Sequence, residues 1–269
     1  MKGIVKKMIA SLHAEPNESS ALIDEVLYGM TVAILEEKEQ GWVFIQTEYR
    51  YEGFCKKEDL LLVDETNEWL LEAKHIIRQN FADILKEPRI QSGKLITVVR
   101  GSVIRVVTSD DDTEWEKVEL ATGEVGYTRK HWLQPKVIQN LLSEQQFRDQ
   151  VVQSALSYLT TPYRWGGKSP LGIDCSGLCS MAYMLNGVQI YRDAKIVDGF
   201  PIKEINMENI QKGDLLYFPG HIGMYMGDDL YVHSSLGGNE VSINSLNENH
   251  PHFRKDLATT IIAVGSFFA

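Results

Sequence analysis

The stretch "GIDCSGLCSMAY", residues 172 to 183, decides how the second half of this chain is read. An aspartate stands directly before Cys175 and two small residues, Ser176 and Gly177, stand directly after it. The apolar residues that follow, closed by the stop signal Asn186-Gly187, predict a helix starting near Cys175. Unpaired N–H groups and the helix dipole in that first turn favour a thiolate, so the expectation is a lowered thiol pKa. The Cys175 N–H is also placed to donate to an oxyanion. A structural cysteine has no need of this setting. Cys179, one turn further in and on the face of Ala182, reads as a small core residue, and Cys55 as inert.

A thiol nucleophile needs a base. Of the seven histidines, His221 and His233 each sit in a strand-like run, "HIGMYM" and "LYVHSS", joined by Gly227-Asp228-Asp229. If those three residues form the hairpin loop, residue 226 pairs with 230 and His233 falls opposite Gly223, two residues from His221. Both histidines then share a face. A two-residue loop would put them on opposite faces, so the chemistry predicts an odd loop. One histidine would act as base and the other would orient it. His250 and His252 in "ENHPHF" could pair on a metal, but no carboxylate or cysteine cluster supports them, and no metal or cofactor is expected.

Around this core the second half reads as α then β. "SEQQFRDQVVQSALSYL" opens with Ser143 and Gln146 at capping-box spacing, followed by a Phe147, Val151, Ala155, Leu159 stripe. Strand-like runs "DLLYF", "HIGMYM", "LYVHSS" and "TIIAVGSF" follow the Cys175 helix. Helices first and an antiparallel sheet afterwards make an α+β domain, taken as residues 137–269.

The first half carries a repeat. Gly29, Trp42, Gly53 and Leu60 recur as Gly101, Trp115, Gly126 and Leu133, with 11 residues from Trp to Gly and 7 from Gly to Leu in both. Short β-type runs lie around these marks, between turn signals such as "EKEQG" and "TSDDDTE". They predict two small β-barrels of about 60 and 40 residues. One is assigned to residues 1–64. Residues 65–136 would hold a linker helix and the second barrel, because Leu70, Leu71, Ile76, Ile77, Phe81, Ile84 and Leu85 approximate a 3.6-residue period that ends at Pro88. His75 would then lie on that helix's surface.

Composition bounds the partners. The chain has 269 residues and a formal net charge of −10, with no basic block. That argues against nucleic acid and against electrostatic attachment to an anionic membrane. Three cysteines do not make a disulfide framework. "MKGIVKKMIASLHAEP" has charge but no apolar stretch of signal length, and "TTIIAVGSFFA" is too short to span a bilayer. The expectation is a cytoplasmic monomer, or an exported protein if a leader has been removed.

The stretch "PYRWGGKSPLGIDCSGLCSMAY", with "KGDLLYF", "HIGMYMG" and "LYVHSS" after it, resembles the NlpC-type papain-like cysteine peptidases, which cleave peptides of the bacterial cell wall. The resemblance covers about residues 140–269. It implies Cys175 as nucleophile, His221 as general base, His233 as the polar third member and Tyr163 as an oxyanion donor. Trp165, Asp174 and Ser176 would line the substrate site. The first half resembles paired bacterial SH3-like modules. Together they look like the subgroup that cuts the γ-D-Glu–L-diamino acid bond of murein peptides with a free N-terminal L-Ala. In that subgroup "YRDA" offers Asp193 for the substrate ammonium and "YRYEGF" offers Tyr51. The equivalent place in the second repeat is Glu124. An acidic residue early in the first module should join them. Glu15 in "HAEP" is the assignment, with Glu18 and Glu25 close by. Competing readings are an amidase or acyltransferase of the same fold, or an inert cell-wall-binding module.

Overall fold

The structure is a computed structural model that describes residues 1–108, 114–137 and 142–269. It divides into two compact units, Met1–Lys136 and Val137–Ala269. Most of the Asp-rich turn expected at 108–114 lies outside the described residues.

The first unit holds two seven-stranded antiparallel sheets. In one, β1 (Lys2–Val5), β2 (Ile9–His13), β3 (Leu22–Leu27), β4 (Thr31–Glu37), β5 (Trp42–Thr47), β6 (Glu52–Lys56) and β7 (Leu60–Val63) are arranged 3-2-6-5-4-1-7. In the other, β8 (His75–Ile77), β9 (Phe81–Leu85), β10 (Lys94–Val99), β11 (Val103–Thr108), β12 (Trp115–Glu119), β13 (Val125–Arg129) and β14 (Leu133–Pro135) run 10-9-13-12-11-8-14. Adding seven to each label of the first order yields the second, so the sequence repeat is a repeat of topology.

Local contacts repeat too. A Cβ on Gly53 would come within 2.7 Å of Leu12 Cγ and 3.0 Å of the His13 carbonyl oxygen, and one on Gly126 within 2.7 Å of Ile84 Cγ2 and 2.8 Å of the Leu85 carbonyl oxygen. Those two glycines are bare because a neighbouring strand runs where a side chain would be. The hairpin tips match as well: the Glu15 N–H donates to Ser20 Oγ at 2.9 Å, and the Glu87 N–H to Ser92 Oγ at 3.0 Å.

The linker helix expected over 67–88 is corrected by this arrangement. Only α1 (Glu68–Glu72) is helical, capped by Asn67 through the Leu70 N–H at 3.0 Å. Residues 75–77 and 81–85 are β8 and β9, so the second module starts at His75 and is as long as the first. The apolar residues fit either period. Pairing of β8 with β11 and β14, and of β9 with β10 and β13, decides for strand. His75 is accordingly a strand residue, and burial holds its imidazole below the usual range. Trp69 of α1 packs edge-on against Tyr28 and donates to the Glu119 carbonyl. Tyr28 in turn accepts the Ala121 N–H on its hydroxyl and the Val103 N–H on its carbonyl, tying one sheet to the other.

The second unit is α+β. Helix α2 (Glu144–Leu156) starts in a complete Ser143–Gln146 capping box. A short pair, β15 (Lys168–Ser169) and β16 (Gly172–Ile173), leads into α3 (Cys175–Met184), whose first nine residues are all buried. A six-stranded antiparallel sheet follows, from β17 (Lys203–Ile205), β18 (Leu215–Phe218), β19 (His221–Gly227), β20 (Leu230–Ser235), β21 (Glu240–Ser245) and β22 (Ala263–Ser266), in the order 17-22-18-19-20-21. Helix α3 packs between α2 and strands β19 and β20. The Phe147 and Tyr183 rings meet edge-on at 5.7 Å, and the Tyr183 hydroxyl donates to the Gly213 carbonyl. Among the described residues, no helix is long and apolar enough to cross a membrane.

Candidate active site

Cys175 is the first residue of α3, and Asp174 is its N-cap. The Asp174 Oδ1 accepts the Gly177 N–H at 2.6 Å, and Oδ2 accepts the Gly166 N–H at 2.8 Å. One carboxylate therefore caps the helix and ties down the preceding loop. Gly177 makes that loop possible, since a Cβ there would sit 2.3 Å from the Gly167 carbonyl oxygen. This pins the segment that carries Tyr163 and Trp165 against the first turn of α3.

Arg192 completes the cap, and sequence reasoning passed over it. Its guanidinium is 1% exposed and donates to both Asp174 oxygens at 3.0 Å, to Ser176 Oγ at 2.7 Å and to the Gly167 carbonyl. Such a planar fork matches a carboxylate and leaves neither charge unpaired. The Ser176 hydroxyl also donates to Asp174 Oδ1 at 3.2 Å. The side chains of Asp174 and Ser176, expected at the substrate, are thus engaged with Arg192 and the helix cap. The available signal was the arginine beside Asp193 in "YRDA", but nothing in the sequence says that its side chain turns inward.

The base side comes from the sheet. His221 opens β19 and His233 lies in β20. Their rings meet with His221 Nε2 and His233 Nδ1 2.7 Å apart. The register behind this is reached differently from expectation. The hairpin loop is two residues, Asp228 and Asp229, with φ of 51° and 60°, the conformation of a tight primed turn. A bulge between Tyr225 and Gly227 restores the parity that such a loop would lose. Met224 then pairs with Val232 and Tyr225 with Tyr231. Both histidines therefore point to one face, although the odd loop predicted for it is absent.

The chain of contacts continues past His233. Its Nε2 lies 2.8 Å from Asn244 Oδ1, and Asn244 Nδ2 donates to the His252 carbonyl at 2.9 Å. Asn244 was missed because β21 was not anticipated. The Tyr231 ring, 5.0 Å from that of His233, and the Phe218 ring, 5.6 Å from that of His221, wall the pair.

Electrostatics correct the expected thiolate. The Ile222 and Ser176 N–H groups point at the sulfur and favour its charged form, but burial and the Asp174 carboxylate outweigh them and push the thiol up to about 11. Burial, with His233 beside it, pushes His221 down to about 3, and burial pushes His233 down to about 4. Arg254 disfavours protonation of both rings and Asp256 favours it. All three shifts run toward the uncharged forms, a neutral thiol and neutral imidazoles. Burial, Cys175 and Asp174 hold the Tyr163 phenol up at about 12, so it remains a donor.

The other residues singled out from sequence are placed as follows. Tyr163 is half-buried and bridges to Ile173, and Trp165 is 67% exposed. Asp193 is half-buried next to Arg192. In the first unit, Tyr51 is half-buried against the β1–β7 core. Glu15 is exposed at the tip of the β2–β3 hairpin. Glu18 pairs with Lys56, and Glu25 in β3 is 3% exposed. Among the described residues no group of three or more His, Cys, Asp or Glu is arranged to hold a metal.

Residues 160–259 match the NlpC/P60 family, and residues 12–60 match the bacterial dipeptidyl-peptidase SH3 domain. A protein of Lysinibacillus sphaericus called dipeptidyl-peptidase 6 is 60% identical over the full length of both chains. A γ-D-glutamyl-L-lysine dipeptidyl-peptidase of Bacillus cereus is 28% identical over 66% of this chain and 59% of its own. The crystal structure of an NlpC/P60 family protein from Bacillus cereus superposes with a TM-score of 0.79 over 100% of both chains, at 20% identity, a likeness of fold.

Proposed function

The chain belongs to the NlpC/P60 family of cell-wall peptidases, and from that premise we propose that it is a cysteine endopeptidase cutting the γ-D-Glu–L-diamino acid bond of murein peptides that carry a free N-terminal L-Ala. Such an enzyme would act in peptidoglycan recycling, and the monomeric, cytoplasmic chain expected from sequence suits that role. The observation that carries the reading is a buried cysteine at a helix N-terminus, on a helix packed against the strands of two hydrogen-bonded histidines. The substrate class is supported by the names of the dipeptidyl-peptidase relatives.

The chemistry starts from uncharged partners. His221 takes the Cys175 proton as the sulfur attacks the γ-carbonyl of D-Glu, so charge develops only along the reaction path. The Tyr163 hydroxyl and the Cys175 N–H donate to the oxyanion. The protonated His221 then gives its proton to the departing amine. Water, activated by the same ring, hydrolyses the thioester. His233 holds the His221 ring through the bond between them. Asp193 holds the substrate ammonium, a role that the resemblance also gives to Tyr51 and to an acidic residue of the first module. An N-acylated peptide would lose that charge and be rejected. Glu15, the acidic residue expected there, is exposed, whereas Glu25 is buried.

The test is to incubate the protein with L-Ala-γ-D-Glu-diaminopimelate and with its N-acetylated form, and to follow both by mass spectrometry beside Cys175→Ala and His221→Ala. Release of L-Ala-D-Glu from the free peptide alone, lost by on the order of 10³-fold or more in either variant, is the expected result. Equal cleavage of both peptides would remove the ammonium roles of Tyr51, Asp193 and the acidic residue. No cleavage of either would point to an amidase, an acyltransferase or a binding module.

A further inference from the structure

We propose that Asn244 is a positioning residue of the histidine pair: it dictates which nitrogen of His233, and through it which nitrogen of His221, carries the proton. The consequence for rate rests on the peptidase reading above. The proton order itself rests on the hydrogen bonds and on a neutral His233.

The argument runs inward from a carbonyl. The His252 oxygen can only accept, and it sits 2.9 Å from the Asn244 amide. The Asn244 atom facing it must be the NH2 group, which turns Oδ1 toward His233. That carbonyl is itself held in place, because it also accepts the Ser245 N–H at 3.0 Å and Phe253 bridges to Ser245. Asn244 Oδ1 can only accept, so His233 Nε2, 2.8 Å away, must be the protonated nitrogen. A neutral His233 then has a bare Nδ1. His221 Nε2, 2.7 Å from it, must donate. That leaves Nδ1 of His221 unprotonated, the basic nitrogen that a thiol proton needs. Reversing the amide would reverse every step. Asn244 would donate to His233, His233 would donate to His221, and His221 would carry its proton on Nδ1, where it cannot act as a base.

The sheet supplies the geometry. Tyr231 is opposite Asn244 and His233 opposite Ser242, so Asn244 is the diagonal neighbour of His233 on the same face. The groups around the pair are few. The Phe218 and Tyr231 rings flank it, and Arg254 and Asp256, joined to each other at 2.8 and 2.5 Å, are the charges that act on both rings.

The test uses the full-length protein with ¹⁵N-labelled histidine and long-range ¹H–¹⁵N correlation at neutral pH, each ring assigned by single substitution. Both His221 and His233 are expected to show a protonated Nε2 and a bare Nδ1. Asn244→Ala should turn both into tautomer mixtures and lower kcat by on the order of 10²-fold, with KM little changed. Asn244→Asp restores an acceptor to His233. It should recover the Nε2–H tautomers and part of kcat. Its negative charge favours the protonated pair, so the acid limb of the kcat profile should move to higher pH. A wild-type His221 protonated on Nδ1 would overturn the proposal, as would Asn244→Ala with unchanged ¹⁵N shifts and kcat. The wild-type spectrum needs no substrate. A protein that shows both Nε2–H rings yet leaves the glutamyl peptide intact would sink the substrate assignment and keep this one.

Discussion

The two sheets of the first unit have one topology and two different sets of polar residues. Both keep a tryptophan at the start of the fifth strand, under a cation: Lys56 over Trp42 at 4.3 Å, and Arg129 over Trp115 at 4.2 Å. Both keep the bare glycine and the serine-tied hairpin tip. They part at buried polar positions, where the first copy makes hydrogen bonds of its own, the Tyr49 hydroxyl donating to Asp24 Oδ2 at 2.5 Å. Asp24 and Glu25, 0% and 3% exposed in β3, stand where β10 has Ile96 and Thr97. Tyr51 stands where the second copy has Glu124. Duplication preserved what strand packing requires and left other positions able to diverge.

The sharpest way to break this comparison is catalytic. Tyr51→Phe should lower kcat/KM on the free-amine peptide by about 10- to 100-fold, as for a lost hydrogen bond to a charged group, while Glu124→Gln leaves it unchanged. Equal effects of the two would make the copies functionally alike.

Next comes the shared framework. Gly53→Ala and Gly126→Ala should each destabilise the protein by about 1–3 kcal/mol in denaturant unfolding, because each added methyl meets packed side chains and a strand carbonyl. A large loss in one and none in the other would show that the two sheets carry unequal shares of stability.

Acid should separate the repeated unit from the one that holds the histidine pair. Burial holds His75 low in the first unit and both His221 and His233 low in the second. Unfolded histidines titrate near 6.5, so below that pH the unfolded chain binds more protons than the folded one. Stability therefore falls as pH drops below about 6.5, by up to about 1.4 kcal/mol per pH unit for each of His221 and His233 down toward about 4. Hydrogen exchange at pH 7 and at about 4.5 should show β19 and β20 losing more protection than β8. The reverse order would mean that the paired rings are not held neutral.

A related check concerns the thiol. Iodoacetamide should label Cys175 slowly at pH 7 and faster as pH rises toward its value of about 11. A rate that is flat between about pH 5 and 8 would reveal a standing thiolate–imidazolium pair. The smallest effects are expected at the stacked cations. Lys56→Met and Arg129→Met should each cost about 0.5–1 kcal/mol, nearly alike, as thermal melts can show.

Local signals were legible in the sequence wherever neighbours along the chain supply the physics. Asp174 before small residues and Cys175 marks a helix N-terminus, because the cap and the capped N–H groups lie within three residues. The Ser143–Gln146 box is legible for the same reason. Spacing alone exposed the repeat, whereas the shared face of His221 and His233 was expected from an odd hairpin loop and is reached through a bulge beside a two-residue one. Where two periods fit one run, as at residues 75–85, only pairing with β10, β11, β13 and β14 could choose strand over helix.

What tertiary structure alone decided are quantities that depend on distant atoms. Arg192 reaches Asp174 across 18 positions of chain, and Asn244 meets His233 through the register of two strands and a carbonyl eight residues further on. The sign of the thiol's shift also lay beyond the sequence. A helix N-terminus argues for a thiolate, but the burial that opposes it is created by α3 packing against β19 and β20, strands that begin more than 40 positions after Cys175. The residue types able to do this chemistry, and the local frames that hold them, are written along the chain. Their protonation states are set by what the fold brings around them.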